Sequence, residues 1–219
     1  MNFIDIPTEQ TTAFTDAILA LVSITVCIYI YCIGRGEWKA RLWEWLFFLL
    51  TVAAILGAIV HGIKLSERLE SILWSLTNLS LGLMIAVFVI AVINDLKGTI
   101  FSRKLLPVML AFGVGFWMTT LYFPDHFLIF TIYESVVMLF SFCGYVWLAY
   151  KDRLDGAWWM SAGILISIVA ALVQASKMTS FQLIWEFDHN GTYHLIQIFG
   201  ILFLVTGLRK SLKYQLASV

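Results

Sequence analysis

Charge is what this chain has least of. Asp, Glu, Lys and Arg make up 13% of its 219 residues, about half the share of an ordinary soluble domain. The formal net charge is +0. Without a basic excess, charge gives no argument for nucleic acid as a partner, and no motif supplies one. Cysteine is scarce as well. Cys27, Cys32 and Cys143 lie in apolar segments without C-x-x-C spacing, so they read as buried free thiols rather than a metal or redox pair. A basic leader is missing: residues 1–10 carry Asp5 and Glu9 but no Lys or Arg, unlike a cleaved signal. The first apolar run is therefore expected to stay as a span. Low-complexity tracts, convincing internal repeats and a soluble domain are also lacking.

What is present is apolar. The chain is 61% hydrophobic and 16% aromatic, with a mean hydropathy of +0.89. Seven segments are long enough to span a bilayer, which takes about 20 residues each. They are Thr12–Ile33, Leu42–Gly62, Ser71–Asn94, Lys104–Tyr122, Phe127–Tyr150, Ala157–Met178 and Gly191–Leu208. The runs are too long and too evenly apolar for barrel strands, which alternate, and open sheet cannot satisfy its backbone in lipid. The predicted fold is all-α: residues 1–219 form one integral-membrane bundle of seven transmembrane helices.

Eleven of the fourteen Lys and Arg follow odd-numbered segments, and only Lys64, Arg68 and Lys177 lie on the other side. The positive-inside rule then predicts an outer N-terminus and a cytoplasmic C-terminus. Trp38, Trp43 and Trp45, then Tyr150, Trp158 and Trp159, read as inner interface anchors, and Trp185 as an outer one.

Polar side chains inside spans are costly and usually face the bundle interior. Given this topology, Asp16, His61, Asn78, Glu134, Gln174, Lys177, His189, His194 and Gln197 all fall in the outer half, and no comparable set is expected in the inner half. Asn190, His194 and Gln197 share one helical face. Asp188 precedes them, placed either to cap that helix or to serve the site. Three histidines with nearby carboxylates suit zinc, which takes imidazole nitrogens, sometimes a carboxylate, and an open position for water. Such a site would activate water for hydrolysis. The same residues equally suit a hydrogen-bonded interior network. His126, in the Pro124-Asp-His-Phe loop, reads as a solvated histidine. Retinal is disfavoured because the seventh segment has no deep Lys, only Lys210 near its end; a His61–His194 haem remains open.

These residues carry a resemblance. The chain resembles the seven-helix metal-dependent membrane hydrolases that include alkaline ceramidases, progestin/adiponectin-type receptors and Per1-like proteins. Those have a His late in helix 2, an acid in helix 3 and an H-x-x-x-H pair early in helix 7. The matching positions are His61, Asn78 and the region His189–His194. Here the helix-7 histidines are five apart, Asn78 stands in place of the acid, and Gly57 in place of a Ser. The chain is more closely similar to bacterial seven-helix proteins of no assigned activity. They share T-T-x-x-T-D (Thr11 to Asp16), V-H-G (Val60 to Gly62), L-W (Leu73, Trp74) and H-N-x-x-Y-H-x-I-Q (His189 to Gln197). That likeness implies a bacterial inner membrane.

The resemblance implies a zinc-dependent hydrolase of lipid-like amides or esters. His61, His189 and His194 would hold the metal, and Asp16, Asn78, Glu134 and Asp188 would serve catalysis. Membrane lipids would be its surroundings, and a lipid-like substrate would enter from the outer leaflet. The alternatives are a non-catalytic ligand-binding or sensing protein with a buried polar pocket, and a purely structural network. Oligomeric state is left open.

Overall fold

A computed structural model describes the backbone of residues 2–122 and 127–217, with side chains described except at 127–131 and 213–217. His126 lies outside the described residues. The chain folds into seven helices: α1 Pro7–Gly34, α2 Trp38–Gly62, α3 Glu67–Lys97, α4 Thr99–Tyr122, α5 Phe127–Tyr150, α6 Ala157–Ser176 and α7 His189–Ala217. Each predicted segment lies on a helix. Every helix is long and apolar enough to cross a bilayer, the build of a multi-pass membrane protein. Apolar residues run round each helix rather than along one stripe, as in a span. Leu21, Ile28, Phe112, Leu172 and Phe199 accordingly point outward from the bundle.

Most neighbours in sequence pack as neighbours in space. α1 lies between α2 and α7, α2 packs on α3, α5 on α6 and α6 on α7, while α3 meets α5 and closes a ring. α4 stands outside this ring, packed on α3, and buries only Ser102, Gly113 and Phe116. The α3–α4 approach depends on glycine. A Cβ at Gly82 would stand 2.8 Å from the Gly113 carbonyl oxygen, and one at Gly113 would stand 2.8 Å from that of Gly82. The two backbones touch only because neither residue has a side chain.

Successive helices alternate in direction, so starts of odd helices meet ends of even ones at one end of the bundle, the head end. Two short elements gather there. Residues 2–5 run beside the end of α2, with Ile4 N–H bonded to Gly62 O at 3.1 Å and Lys64 N–H to Asn2 O at 2.9 Å. Between α6 and α7 a hairpin, β1 Phe181–Gln182 and β2 Glu186–Phe187, pairs Phe181 with Phe187. Trp185 of this hairpin packs on Phe14 of α1 at 5.7 Å between ring centroids.

The foot end overturns one expectation. The half expected to be inner does contain a polar set. Lys39 Nζ meets Asp95 Oδ1 at 2.7 Å, with both side chains 2% exposed. Tyr145 OH donates to Asp95 Oδ2 at 3.0 Å. Beside it, Trp38 Nε1–H donates to Ser102 Oγ at 2.9 Å, and Ser102 Oγ donates to Asn94 Oδ1 at 3.1 Å. Lys39 and Asp95 sit near helix ends and read as loop charges in the sequence, but they turn inward because each supplies the other's counter-charge.

Trp43 is a second correction. It is 0% exposed, stacked on Phe47 and edge-on to Phe88, so it is core rather than interface anchor. Trp45, Tyr150, Trp158, Trp159 and Trp185 are exposed on the bundle surface. The cysteines are free, but Cys32 and Cys143 are exposed on helix surfaces rather than buried; on a lipid-facing wall a thiol is at no disadvantage, being a small apolar group.

Candidate functional site

A cavity of about 770 Å³ occupies the middle of the ring, within the size range of ligand pockets. Its lining changes along its length. At the head end it is polar: Asp16, His61, Asn78, Glu134, His189, His194 and their neighbours Gln174, Lys177, Asn190 and Gln197 all contribute. Towards the foot it is lined by Leu46, Phe47, Leu50, Ile85, Phe88 and Ile201, ending near Trp43. His61 and Trp43 are separated by eighteen residues of α2, about 27 Å at 1.5 Å per residue.

The structure therefore brings to one cavity six of the seven expected site residues. Asp188 is the exception. Its Oδ1 accepts the Gly191 N–H at 2.9 Å and the Thr12 hydroxyl at 3.1 Å, so it caps α7 and ties it to α1.

The most buried part of the site is a three-residue array. His194 Nε2 lies 3.2 Å from Asp16 Oδ1, and its Nδ1 lies 3.0 Å from Thr15 Oγ1. Thr15 spends its own proton on the Thr12 carbonyl at 2.9 Å, within the helix. Thr15 and Asp16, one at each ring nitrogen, orient the imidazole.

Gly57 explains its own departure from the hydrolase pattern. A Cβ there would stand 2.7 Å from Asp16 Oδ2 and 3.1 Å from Cγ. The glycine makes room on α2 for the α1 carboxyl group.

The other histidines have separate partners. His61 Nδ1 lies 2.6 Å from Glu9 Oε2, and its ring meets Trp74 edge-on at 5.4 Å. His189 Nδ1 is 3.9 Å from Asp188 Oδ2, too far for a hydrogen bond. Gln174 Nε2 donates to Asn190 Oδ1 at 3.2 Å. Among the described residues, no three His, Cys, Asp or Glu side chains are grouped to hold a metal ion. The expected zinc ligands share a cavity without sharing a point: His194 has both ring nitrogens committed, and His61 turns to an acid of the first helical turn. As arranged, these residues do not fit a zinc centre.

Sequence reasoning passed over Glu9, Thr12, Thr15 and Tyr193. Glu9 was visible only as one of the acids before the first apolar run. Helix α1 starts earlier than that run, with Pro7 in its first turn, and this places Glu9 inside the helix facing His61. Tyr193 lines the cavity within electrostatic reach of Glu134 and Asp16.

Fold and site together define a class: a seven-helix, membrane-type bundle with an internal cavity, polar at one end and apolar at the other. Within that class the chain belongs to the family described as Family of unknown function (DUF6962), which matches residues 11–213 and so takes in the helices and the cavity. No curated protein matches the chain, and no solved structure does.

Proposed function

We propose that this protein is a seven-helix membrane protein that binds a lipid-like amphiphile, with the polar head of the ligand at the head end of the cavity and its chain in the apolar part. The observation that carries this is the lining of one cavity, which passes from His, Asp, Glu, Asn and Gln to Leu, Phe and Ile over a length comparable to a bilayer's hydrocarbon core. A water-soluble ligand would leave the apolar end unmatched, and a hydrocarbon would strand the polar end. The Lys and Arg distribution supports insertion with the head end outside and the C-terminus in the cytoplasm, so the ligand would enter from the outer leaflet.

The test is extraction of the protein purified in a mild uncharged detergent, followed by mass spectrometry of the organic phase. The expected result is a bound amphiphile near one per chain, lost in Ala54→Trp, which fills the cavity from α2. An extract without such a molecule, or one unchanged by a folded Ala54→Trp protein, removes the reading.

Zinc-dependent hydrolysis of a lipid-like amide or ester at the same site is a second reading. It is favoured by one observation, that His61, His189 and His194 line the same cavity. It requires His194 to give up Asp16 or Thr15. Elemental analysis decides it: about one zinc per wild-type chain, absent from His61→Ala, supports hydrolysis; equally little metal in both ends it.

A further inference from the structure

Glu134 is a buried acid of the cavity wall for which the described residues offer no hydrogen-bond or ion-pair partner. It sits on α5, is 8% exposed, and lines the cavity. Among the described residues it makes no hydrogen bond and no ion pair. A carboxyl group at membrane depth is costly unless something satisfies it. Asp16, the other buried acid of the head end, is already matched by His194. Glu134 has nothing comparable. None of the basic groups of the lining pairs with it: His61 Nδ1 meets Glu9, His189 lies beside Asp188, His194 is paired with Asp16, and Lys177, just past the end of α6, is exposed at the edge of the cavity. The described lining contains no buried Lys or Arg.

The head end thus offers a buried carboxyl group without a basic partner, in a wall whose other buried acid, Asp16, is paired with His194. A head group with an acid of its own would set a second carboxyl group beside Glu134 with no base between them. An alcohol would supply a single donor. An ammonium group supplies several donors and the missing positive charge. The apolar continuation past Val137 and Met138, one turn further along α5, towards Leu50 and Phe88 gives room for one alkyl chain.

We propose that the ligand is a single-chain amphiphile with an amine head, held as its ammonium form by Glu134. This rests on the amphiphile-binding reading and names the chemistry of the head.

The test uses the full chain in uncharged detergent, with tetradecylamine, tetradecanol, tetradecanoate and methylammonium as probes and thermal unfolding as readout. In wild type the amine is expected to raise the midpoint most, the alcohol less and the carboxylate least. In Glu134→Gln the amine should bind roughly ten- to a hundred-fold more weakly, the worth of a hydrogen bond to a charged group, and the alcohol as before. Amine binding unchanged in Glu134→Gln overturns the proposal, as does tetradecanoate binding as tightly as the amine. A full shift from methylammonium alone also overturns it, since the site would then take a small cation. If no tailed probe binds wild type, the amphiphile reading itself fails. Should Glu134→Gln not fold, the order of the probes on wild type decides.

Discussion

Asp95→Ala is the substitution with the largest expected effect away from the cavity. Lys39 and Asp95 are each 2% exposed and 2.7 Å apart, joining α2 to α3, and Tyr145 brings in α5 through its bond to Asp95. Removing Asp95 leaves a buried ammonium without a counter-charge and a buried phenol without an acceptor. Losing one partner of such a pair costs about 3–5 kcal/mol. For a chain of this size that corresponds to a fall in midpoint of roughly 6–20 °C, at about 2–4 °C per kcal/mol. Lys39→Met should cost less, because Asp95 keeps the Tyr145 hydroxyl. The double variant Lys39→Met/Asp95→Leu removes both charges and leaves only that hydroxyl unmet, an expected loss of about 1–3 kcal/mol. Adding Tyr145→Phe should bring stability back to within about 1 kcal/mol of wild type. The assay is unfolding in mixed detergent micelles followed by the helical circular-dichroism signal, read as a double-mutant cycle with Lys39→Met and Asp95→Leu as its single variants. A loss below about 1 kcal/mol for Asp95→Ala, well under what a broken buried pair implies, would refute the reasoning. So would a double variant as unstable as the sum of its parts, because the charges would then not be coupled.

Gly57→Ala places a methyl group 2.7 Å from Asp16 Oδ2; the carboxyl is held by His194, so we expect a loss of about 1–3 kcal/mol from overpacking and weaker retention of the cavity ligand, measured by unfolding and by extraction. Wild-type behaviour in both would show that Asp16 is free to move. Trp43→Ala should cost about 3–5 kcal/mol, as for a large buried aromatic. Trp45→Ala, on the exposed surface, should cost far less, within about 0.5 kcal/mol if the detergent belt replaces its contacts; equal losses in the same unfolding assay would place Trp43 at the lipid boundary after all.

Length and apolarity alone determine the seven helices. Whether a segment can lie in lipid depends on its own twenty or so residues, since its backbone must bond to itself and its side chains face hydrocarbon. Depth is equally local: in an alternating bundle, position along a helix places Asp16, His61, Asn78, Glu134, His189 and His194 at one end, and the structure does gather them round one cavity. Partnership is not local. Which side chain meets which depends on the rotation of each helix and on the order of the ring, with α4 outside it. Only the tertiary structure turned Lys39 and Asp95 from loop charges into a buried pair, gave His61 to Glu9 and His194 to Asp16, and made Trp43 core. The zinc expectation came from residue types and depth, and those do not specify whether three imidazoles converge. The packed structure sends each to a different neighbour and leaves Glu134, alone among the buried acids of the cavity, facing it without a partner.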